Sequence, residues 1–349
     1  SPETRLIGVD IRAVDGTARP VAEINAQCAE LVRQEVAAGR HVLLHRLDQS
    51  KTGLAAPDMD LVRELCTELG EQLSVVVDVC QARLSPSRVA DWVERGIIVM
   101  ITGSKFFTGP PFCGAILLPP AIRTRLPSLS LPKGLRAYGN RDEWPEGADA
   151  SALNNGHNIG LALRWYAALA EMDALFALPD PVIRGRLTRF MTEAVAMVKA
   201  RPALTMLPMG TPFDDGRWDA VPTILSFLVE DPHAPGRPLA LEDARRLHRW
   251  LNADLSPWVA EGEGSLLCVL GQPVPVPHPL VDGPAGALRL CAGARLVSGE
   301  PSHEGLDEER RLQRECMDAR RVLGKLELIL KHWDVLLDAN PVPRYAPLA

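Results

Sequence analysis

Short apolar runs alternate with segments of helical periodicity over the first third of the chain. The runs typical of strands cover residues 6–14, 41–47, 73–78, 97–102 and 114–118. Between them, apolar side chains recur at helical spacing over residues 21–38, 58–70 and 85–96. The continuous β-branched run at 73–78 is typical of a parallel strand that is buried on both faces. This alternation predicts an α/β fold with a mostly parallel sheet.

The pattern changes further along the chain. Residues 127–158 are rich in Pro, Gly and Asn, which predicts a long loop. Helices are predicted over residues 160–178, 181–200, 241–253 and 304–338, and strands over residues 203–208, 221–230, 265–270 and 286–298. Such a mixture is typical of an α+β unit. We therefore predict a large domain over residues 1–195 and a small C-terminal α+β domain over residues 196–349 that ends in a long helix.

Composition narrows the classes of protein to consider. The 349 residues suit about two domains of ordinary size. Acidic residues number 44 against 38 basic ones, and no basic cluster is interleaved with aromatics, so we expect no nucleic-acid partner. No apolar run reaches the roughly 18 residues of a membrane span, and the N-terminus lacks the shape of a signal peptide. The seven Cys are scattered and form no CxxC pair, which favours reduced thiols, a cytoplasmic location and no metal.

Candidate chemistry lies at the ends of two predicted strands. Asp78 ends the run at 73–78, and Lys105 follows the run at 97–102. Taken alone, Asp78 suits a helix N-cap or a structural ion pair, and Lys105 suits a side chain that extends its ammonium into water. Together, a carboxylate and an amine at neighbouring strand ends suit pyridoxal 5'-phosphate (PLP), because the amine can bind the cofactor while the carboxylate pairs with its ring nitrogen.

The stretches around these two residues resemble fold-type-I PLP-dependent enzymes. The segments Asp78-Val79-Cys80-Gln81 and Thr102-Gly103-Ser104-Lys105-Phe106-Phe107-Thr108-Gly109-Pro110 are similar to motifs of the class-V aminotransferase and cysteine desulfurase group. In that group an Asp-x-x-Gln strand end is followed by a hydroxyl residue, the Schiff-base lysine and a Gly-Pro turn before an apolar strand. Here that strand is Gly114-Ala115-Ile116-Leu117. The resemblance implies a PLP-binding large domain and a smaller C-terminal domain.

The resemblance also assigns roles to individual residues. It implies that Lys105 forms a Schiff base with PLP and then moves a proton at the substrate α-carbon, and that Asp78 binds the pyridinium nitrogen. Gln81 is implied at the phenolic oxygen. The remaining implied cofactor contacts are Thr102 and Ser104 at the phosphate, and Ser50 at the position where the group has an asparagine. Ser104 departs from the desulfurases, which have His just before the lysine.

Two further residues resemble functional positions of the group. Asn155, within Asn154-Asn155-Gly156, is similar to the segment that a neighbouring subunit brings to the phosphate, although a plain loop with an N-cap has the same composition. Arg289 is similar to the arginine that binds the substrate carboxylate; a structural ion pair is the alternative. The resemblance therefore implies a homodimer with its sites at the subunit interface.

The implied activity is PLP-dependent chemistry on an amino acid or a related amine. Aminotransferase or lyase chemistry is the first expectation, and a C–S lyase or desulfurase reaction on a sulfur amino acid is an alternative. Cys80 and Cys113 are interpreted as packing residues, which weighs against a desulfurase thiol. A second alternative, of another class, is a non-catalytic scaffold or partner that keeps the PLP fold.

Two parts of the group's cofactor site have no counterpart in this sequence. The group has a phosphate-cradling loop at a helix N-terminus and an aromatic or His that stacks on the pyridine ring, both before the strands predicted here. We therefore expect a large domain that is incomplete at its N-terminus. Three explanations stay open: a separate N-terminal chain or fragment that completes the site, a truncated chain, and a degenerate member that no longer binds the cofactor. The joint presence of Lys105, Asp78, Gln81 and Arg289 favours the first two.

Overall fold

The computed structural model describes residues 4–129, 131–210, 215–260, 262–299 and 305–345. The strands of the first half form one sheet, in the order β1-β2-β3-β4. These strands are β1 (Val42–Leu47), β2 (Leu73–Val79), β3 (Ile98–Thr102) and β4 (Gly114–Leu117). β1, β2 and β3 are parallel, and β4 is antiparallel to β3. The prediction of an α/β fold with a mostly parallel sheet is confirmed.

Three helices cover one face of this sheet, and their bounds agree with the sequence pattern. They are α1 (Val21–Ala37), α2 (Met59–Leu69) and α3 (Pro86–Glu94). Asp58 begins α2 because its side chain accepts a hydrogen bond from the Leu61 N–H at 2.8 Å. Gly39 has a φ of 78° just after α1, a conformation in which glycine has no side chain to clash. The start of α2 and the end of α1 are therefore each set by a residue at that point of the chain.

The core under these helices comes from alternate positions of the strands. Val77 of β2 and Val99 of β3 are fully buried against Leu65 of α2 and Trp92 of α3. Burial of a side chain of this size contributes about 1.5–3 kcal/mol. The opposite face of β2 carries Asp78, so the side-chain alternation that builds the core also separates the carboxylate from it.

The second half of the chain forms an antiparallel sheet with its own helices. The strands are β5 (Leu204–Met206), β6 (Ile224–Asp231), β7 (Ala234–Pro238), β8 (Gly271–Val276) and β9 (Ala285–Cys291). Their order is β5-β6-β9-β8, and β7 pairs with β6. The helices outside the first sheet are α4 (Pro120–Arg125), α5 (Ile159–Phe176), α6 (Asp180–Lys199), α7 (Leu241–Leu251), α8 (Ala294–Ser298), α9 (Glu308–Lys331) and α10 (Trp333–Ala339).

The helices of this half share one core with its sheet. Leu225 and Phe227 of β6 pack with Leu187 of α6, Leu247 of α7 and Leu323 of α9. The expected mixture of strands and helices is confirmed. α6 runs through residue 195, and the division of the chain at residues 195 and 196 stays a prediction.

The predicted strand at residues 6–14 is wrong. Leu6 and Val14 are 97% and 91% exposed, and the segment makes only a bridge between Arg12 and Ala18 around the turn at Gly16. An apolar run forms a sheet strand only when a neighbouring strand takes up its backbone hydrogen bonds. Here the segment pairs locally with residues 17–19 instead.

The prediction of a strand at residues 265–270 is also wrong, since the strand is β8, which begins at Gly271. β8 contains two prolines and lies at the edge of its sheet, where a missing N–H is tolerated. β7 was not predicted, because its Ala-Pro-Gly-Arg-Pro sequence has low strand propensity.

Two predicted elements are broken in the structure. The strand predicted over residues 286–298 ends at Cys291, and α8 follows after Gly293. The helix predicted over residues 304–338 is two helices, α9 and α10, separated at His332. Residue 304 lies outside the described residues. No helix in the described ranges is both long and apolar enough to cross a membrane.

The two sheets meet where the strands β1 and β3 lead into their loops. The Ala294 N–H, just after β9, donates to the Phe106 carbonyl at 2.8 Å. A Cβ added at Gly53, in the loop after β1, would lie 3.6 Å from the Ile224 carbonyl oxygen. The carboxyl ends of the parallel strands therefore face the start of β6 and the end of β9, which is where ligands bind in open α/β sheets.

Candidate active site

Asp78 lies one residue before the end of β2, between partners on both neighbouring strands. In the strand register it is opposite Leu47 of β1 and Met100 of β3. Its Oδ1 accepts a hydrogen bond from the Cys80 N–H at 2.9 Å, and its Oδ2 lies 3.7 Å from Nε2 of His45. The side chain is 20% exposed. A carboxylate so placed is fixed in direction and still reachable by a ligand.

Lys105 lies in the loop after β3 and is exposed. The two residues that follow it, Phe106 and Phe107, are buried and pack edge to face with ring centroids 5.2 Å apart. The Thr108 N–H donates to the Lys105 carbonyl at 3.0 Å and closes the turn, with Thr108 at a φ of 56°. Two anchored aromatics and a tight turn therefore fix the backbone of a lysine whose own side chain reaches solvent.

The thiol of Cys80 connects these two residues. Burial, a hydrogen bond to the Asp78 carboxylate and the charge of that carboxylate raise the pKa of the Cys80 thiol to about 11, and the Lys105 ammonium opposes the rise. The carboxylate and the ammonium thus act on the same sulfur from two different strand ends. The structure therefore places Asp78 and the loop of Lys105 at the same end of the neighbouring parallel strands β2 and β3.

Thr102 and Ser104, the predicted phosphate contacts, form a hydroxyl pair at the end of β3. Their oxygens are 2.8 Å apart, and the Thr102 hydroxyl donates to the Cys113 carbonyl. A hydroxyl has one hydrogen to donate, so the hydrogen of Thr102 is already committed. In the contact between the two hydroxyls Ser104 is therefore the donor, and its hydroxyl would have to turn away from Thr102 to donate to an anion.

Ser50 stabilises the loop that follows β1. Its hydroxyl oxygen accepts from the Leu54 N–H at 3.0 Å and from the Thr52 N–H at 3.3 Å. The loop lies against the start of β6 at Gly53. The structure therefore places Ser50 at the junction of the two sheets, in a turn that its own side chain holds.

Gln81 and Asn155 are the two remaining residues that the sequence predicts as cofactor contacts. Gln81 is partly buried in the turn after β2, next to Ala82, which has a φ of 53°. Asn155 is exposed in the loop before α5, where the neighbouring Asn154 bonds to Arg136. The structure therefore brings Gln81 to the end of β2, and it leaves Asn155 on an exposed loop.

Arg289 lies within β9 opposite Ser226 of β6 and Gly271 of β8. Its Nη2 donates to the Gln272 carbonyl at 3.0 Å, and its Nε has no partner among the described residues. A Cβ at residue 271 would lie 2.7 Å from Nη2, so a side chain there would displace the guanidinium from its present position. Arg289 is thus held at Nη2, while its Nε is buried and unpaired.

The sequence-based prediction missed two residues at this junction. Arg83, two residues after Gln81, is buried, and its Nη1 donates to the Thr223 hydroxyl. Cys291 lies at the end of β9, where burial raises the pKa of its thiol and the cations Arg289 and Arg83 oppose the rise. A charged residue shortly after the Asp-x-x-Gln motif was the only signal in the sequence for Arg83.

The chemistry of this donor set fits PLP. An exposed amine, a fixed carboxylate and a serine hydroxyl that can exchange its bond to Thr102 match the aldehyde, the ring nitrogen and the phosphate of the cofactor. The open Nε of Arg289 matches a carboxylate. Among the described residues, no group of three or more His, Cys, Asp or Glu side chains is placed to hold a metal ion.

Comparisons with known proteins found solved structures only. No family model matches the sequence, and no curated protein matches it. The Catharanthus roseus tryptophan decarboxylase in complex with L-tryptophan is 15% identical, with a TM-score of 0.48, over 88% of this chain and 53% of that one. The Oryza sativa TDC with PLP is 13% identical, with a TM-score of 0.44, over 87% and 54%.

An alanine–glyoxylate aminotransferase from Nostoc sp. is 14% identical, with a TM-score of 0.44, over 84% of this chain and 64% of that one. This chain spans about half the length of the first two structures. The matches include structures with PLP, the cofactor that the sequence resemblance implies. At this level of identity the likeness concerns the fold and not the reaction.

Proposed function

We propose that this chain is a PLP-dependent enzyme, a transferase or a lyase, that acts on an amino acid or a related amine. The observation that carries the proposal is that Asp78 and the loop of Lys105 lie at the carboxyl ends of the neighbouring parallel strands β2 and β3. If Asp78 were only a helix N-cap, or Lys105 only a solvated surface lysine, neither residue would need the other one nearby.

Each proposed cofactor contact is a residue of this chain. Lys105 would hold the aldehyde carbon, and Asp78 would pair with the ring nitrogen. Ser104, with Thr102 behind it, would donate to the phosphate, while Gln81 and Ser50 would contact the cofactor from the neighbouring loops. When bound, PLP supplies an electron-withdrawing ring that makes the bonds at the substrate α-carbon easier to break.

The chain's own residues would then handle the substrate and its proton. Arg289 would bind the substrate carboxylate through its open Nε, which orients the α-carbon. The Lys105 amine would take and return the α-carbon proton, since it lies on a fixed backbone and is exposed. The Cys80 N–H would keep the Asp78 carboxylate directed at the ring nitrogen.

The thiols near the site disfavour a desulfurase that uses a protein nucleophile. The pKa of Cys80 is about 11, so this thiol stays protonated at neutral pH. Cys113 is buried, and burial raises the pKa of its thiol. Aminotransferase or lyase chemistry without a protein thiol is therefore the form of the proposal that we favour.

A homodimer belongs to the proposal, with Asn155 of one subunit reaching the phosphate of the other. The exposed loop that carries Asn155 is compatible with this role. Sedimentation that showed only a monomer in the presence of PLP would remove this assignment. A separate N-terminal fragment that completes the site, and a cytoplasmic location, stay predictions.

Covalent capture of the cofactor tests the proposal. The chain is incubated with PLP, reduced with borohydride and digested, and the modified lysines are located by mass spectrometry. We expect the modification at Lys105, lost in Lys105→Ala and kept in Lys51→Ala, which changes an exposed lysine of the Ser50 loop. Equal labelling of surface lysines with Lys105 unmodified would refute the enzyme and favour the non-catalytic scaffold.

A further inference from the structure

Helix α5 has an apolar face that the described residues leave exposed. Ile159, Leu163 and Tyr166 are 66%, 65% and 78% exposed, and Ala170 is exposed as well. These four positions are separated by four, three and four residues, so they form one stripe along the helix, the α5 stripe. A single exposed leucine needs no explanation, whereas a continuous exposed stripe indicates a surface that another chain covers.

The opposite side of α5 packs against the loop that carries Lys105. The Trp165 indole N–H donates to the Gly114 carbonyl at 3.2 Å. Ala168 is fully buried, and a Cβ added at Gly109 would lie 2.9 Å from the Cβ of Ala168. These contacts fix α5 beside the candidate active site, and the α5 stripe is the side of the helix that faces outward.

The exposed apolar surface continues from α5 onto this loop. Phe112 and Ile116 are 88% and 60% exposed, and they lie two residues on either side of Gly114, which Trp165 contacts. A stable dimer buries about 800 Å² of each partner, which is more than one short helix face supplies. The loop therefore enlarges the surface that is open to a partner.

The α5 stripe itself carries no charged residue. Arg164 is the one charged residue in the sequence of positions 159–170. It lies at the flank of the helix, where a Cβ added at Gly160 would lie 2.8 Å from its Nη1. In a two-fold contact the same patch meets itself, so a charge on the patch would meet its own like charge. An uncharged stripe is compatible with such a contact, and a second copy of this chain therefore fits the surface.

The charge at the end of α5 favours an antiparallel arrangement of two such helices. Asp173 is exposed three residues beyond Ala170, and in a parallel pair its carboxylate would face its own copy. Ile159 and Asp173 are both seven residues from Tyr166. In an antiparallel pair centred on Tyr166, Asp173 would thus face the N-terminus of the other helix, where free backbone N–H groups favour a negative charge.

We propose that α5 forms a two-fold antiparallel contact with α5 of a second copy, centred on Tyr166. Asn155 precedes the start of α5 by four residues, so this contact brings the Asn155 loop of each copy to the boundary with the other. The role of Asn155 at the phosphate rests on the proposed function. The contact itself rests on the exposed face of α5.

Sedimentation equilibrium of the full chain without PLP tests the contact. We expect a dimer, and Leu163→Glu should raise its dissociation constant about a hundredfold or more, because the two-fold contact would bury two unpaired carboxylates. Leu280→Glu makes the same change at a leucine that is 58% exposed between β8 and β9, and should leave the dissociation constant unchanged. Circular dichroism checks that both variants are folded.

Two outcomes of the sedimentation experiment would overturn the proposal. A chain that stays a monomer at every concentration would show that no second copy covers this face. A dimer that Leu163→Glu weakens no more than Leu280→Glu does would show that the copies associate through another surface.

Disulfide trapping tests the antiparallel register without weakening the contact. After mild oxidation, Tyr166→Cys should give a cross-linked dimer, because the two copies of this position face each other. Ile159→Cys should not, because in this register the two copies of position 159 are about 20 Å apart, at about 1.5 Å per residue. Adding Asp173→Cys to Ile159→Cys should restore the cross-link.

The unchanged chain, which has seven cysteines, gives the background of the trapping experiment. Cross-linking of Ile159→Cys alone would indicate a parallel pair and overturn the proposed register. A Tyr166→Cys chain that is cross-linked no more than the unchanged chain would overturn the contact.

The results also separate this proposal from the proposed function. A dimer that depends on Leu163, together with an unmodified Lys105 after borohydride, would keep the α5 contact and reject the PLP enzyme. Capture of PLP at Lys105 in a chain whose association is indifferent to Leu163→Glu would keep the enzyme and reject the α5 contact.

Discussion

The pKa of the Cys80 thiol measures the geometry of the candidate site without any cofactor. The pKa of this thiol is raised from 9.0 to about 11 by burial, by a hydrogen bond to Asp78 and by the charge of Asp78, while the charge of Lys105 opposes the rise. Asp78→Asn removes the negative charge and weakens the acceptor, while burial stays. We expect the pKa of Cys80 to fall by about 1, and Lys105→Met to raise it further. The two variants therefore act in opposite directions.

The rate of alkylation at Cys80 reports this change. Iodoacetamide reacts with the thiolate, so well below the pKa a fall of about 1 gives about ten times more reactive species. A thiolate of lower pKa is intrinsically less nucleophilic, which leaves a net increase of about fourfold at pH 8. Fragment-ion mass spectrometry separates Cys80 from Cys66, since both lie between Arg63 and Arg83 in one tryptic peptide.

Two control variants make the result specific. Asp60→Asn and Lys51→Met change an exposed acid at the start of α2 and an exposed lysine after β1, and should leave the Cys80 rate unchanged. The reasoning is refuted if Asp78→Asn and Lys105→Met change the rate in the same direction, or if neither changes it more than the controls do. In that case Asp78 and Lys105 do not meet at this thiol.

Three further predictions concern the frame around the site. Asp219 accepts from the Ser85 N–H and pairs with Arg88 through both oxygens, so Asp219→Ala should lower the free energy of unfolding in urea by about 3 kcal/mol. These partners outweigh burial and lower the pKa of Asp219. The contribution of Asp219 to the free energy of unfolding should therefore be present above the unfolded carboxyl pKa and be lost as the pH falls. If the stability of Asp219→Ala were as sensitive to acid as that of the unchanged protein, this prediction would be contradicted. Burial lowers the pKa of Lys325, so this lysine loses its proton at a lower pH in the folded chain than in the unfolded chain. The free energy of unfolding should therefore rise with pH between the folded pKa and the pKa of a free lysine. Lys325→Met, measured in urea over the same pH range, should lack this rise. Thr108 is exposed with a φ of 56°, so Thr108→Gly should raise the free energy of unfolding by up to about 1 kcal/mol, and a decrease would show that contacts of the threonine outweigh its backbone strain.

Elements with local signals could be predicted from the sequence. Asp58 at the start of α2 and Gly39 after α1 mark ends that the structure also shows. β2 is buried at five of its seven positions because helices cover one of its faces and neighbouring strands flank it. In each case the information lies within a few residues of the element.

Elements that depend on distant partners could not be predicted. The apolar residues 6–14 have the composition of a strand, but no sheet strand pairs with them in the described structure. β8 carries prolines that argue against a strand, and only its place at the sheet edge makes them tolerable. Strand pairing depends on two segments, so the pattern of one segment alone does not determine whether that segment becomes a strand.

The candidate site also has a part that local sequence predicts and a part that depends on distant contacts. Asp78 and Lys105 lie within one strand–helix–strand unit, and the chirality and length of that unit bring both to one sheet edge. Their placement follows from local sequence. Ser50 and Gln81 come from the loops of the same sheet, so their approach is also a consequence of the parallel order.

Arg83 shows why the remainder of the site was beyond the sequence. Taken in its own loop, an arginine two residues after Gln81 is an ordinary solvated cation. Its burial depends on Thr223, which is 140 residues away and accepts from Nη1. Thr223 lies just before β6, and its carbonyl oxygen accepts from the Ala292 N–H at 2.9 Å, so this contact joins the loop after β2 to the second sheet. The burial of Arg83 is therefore a product of the contact between the two sheets, which no local pattern in the sequence records.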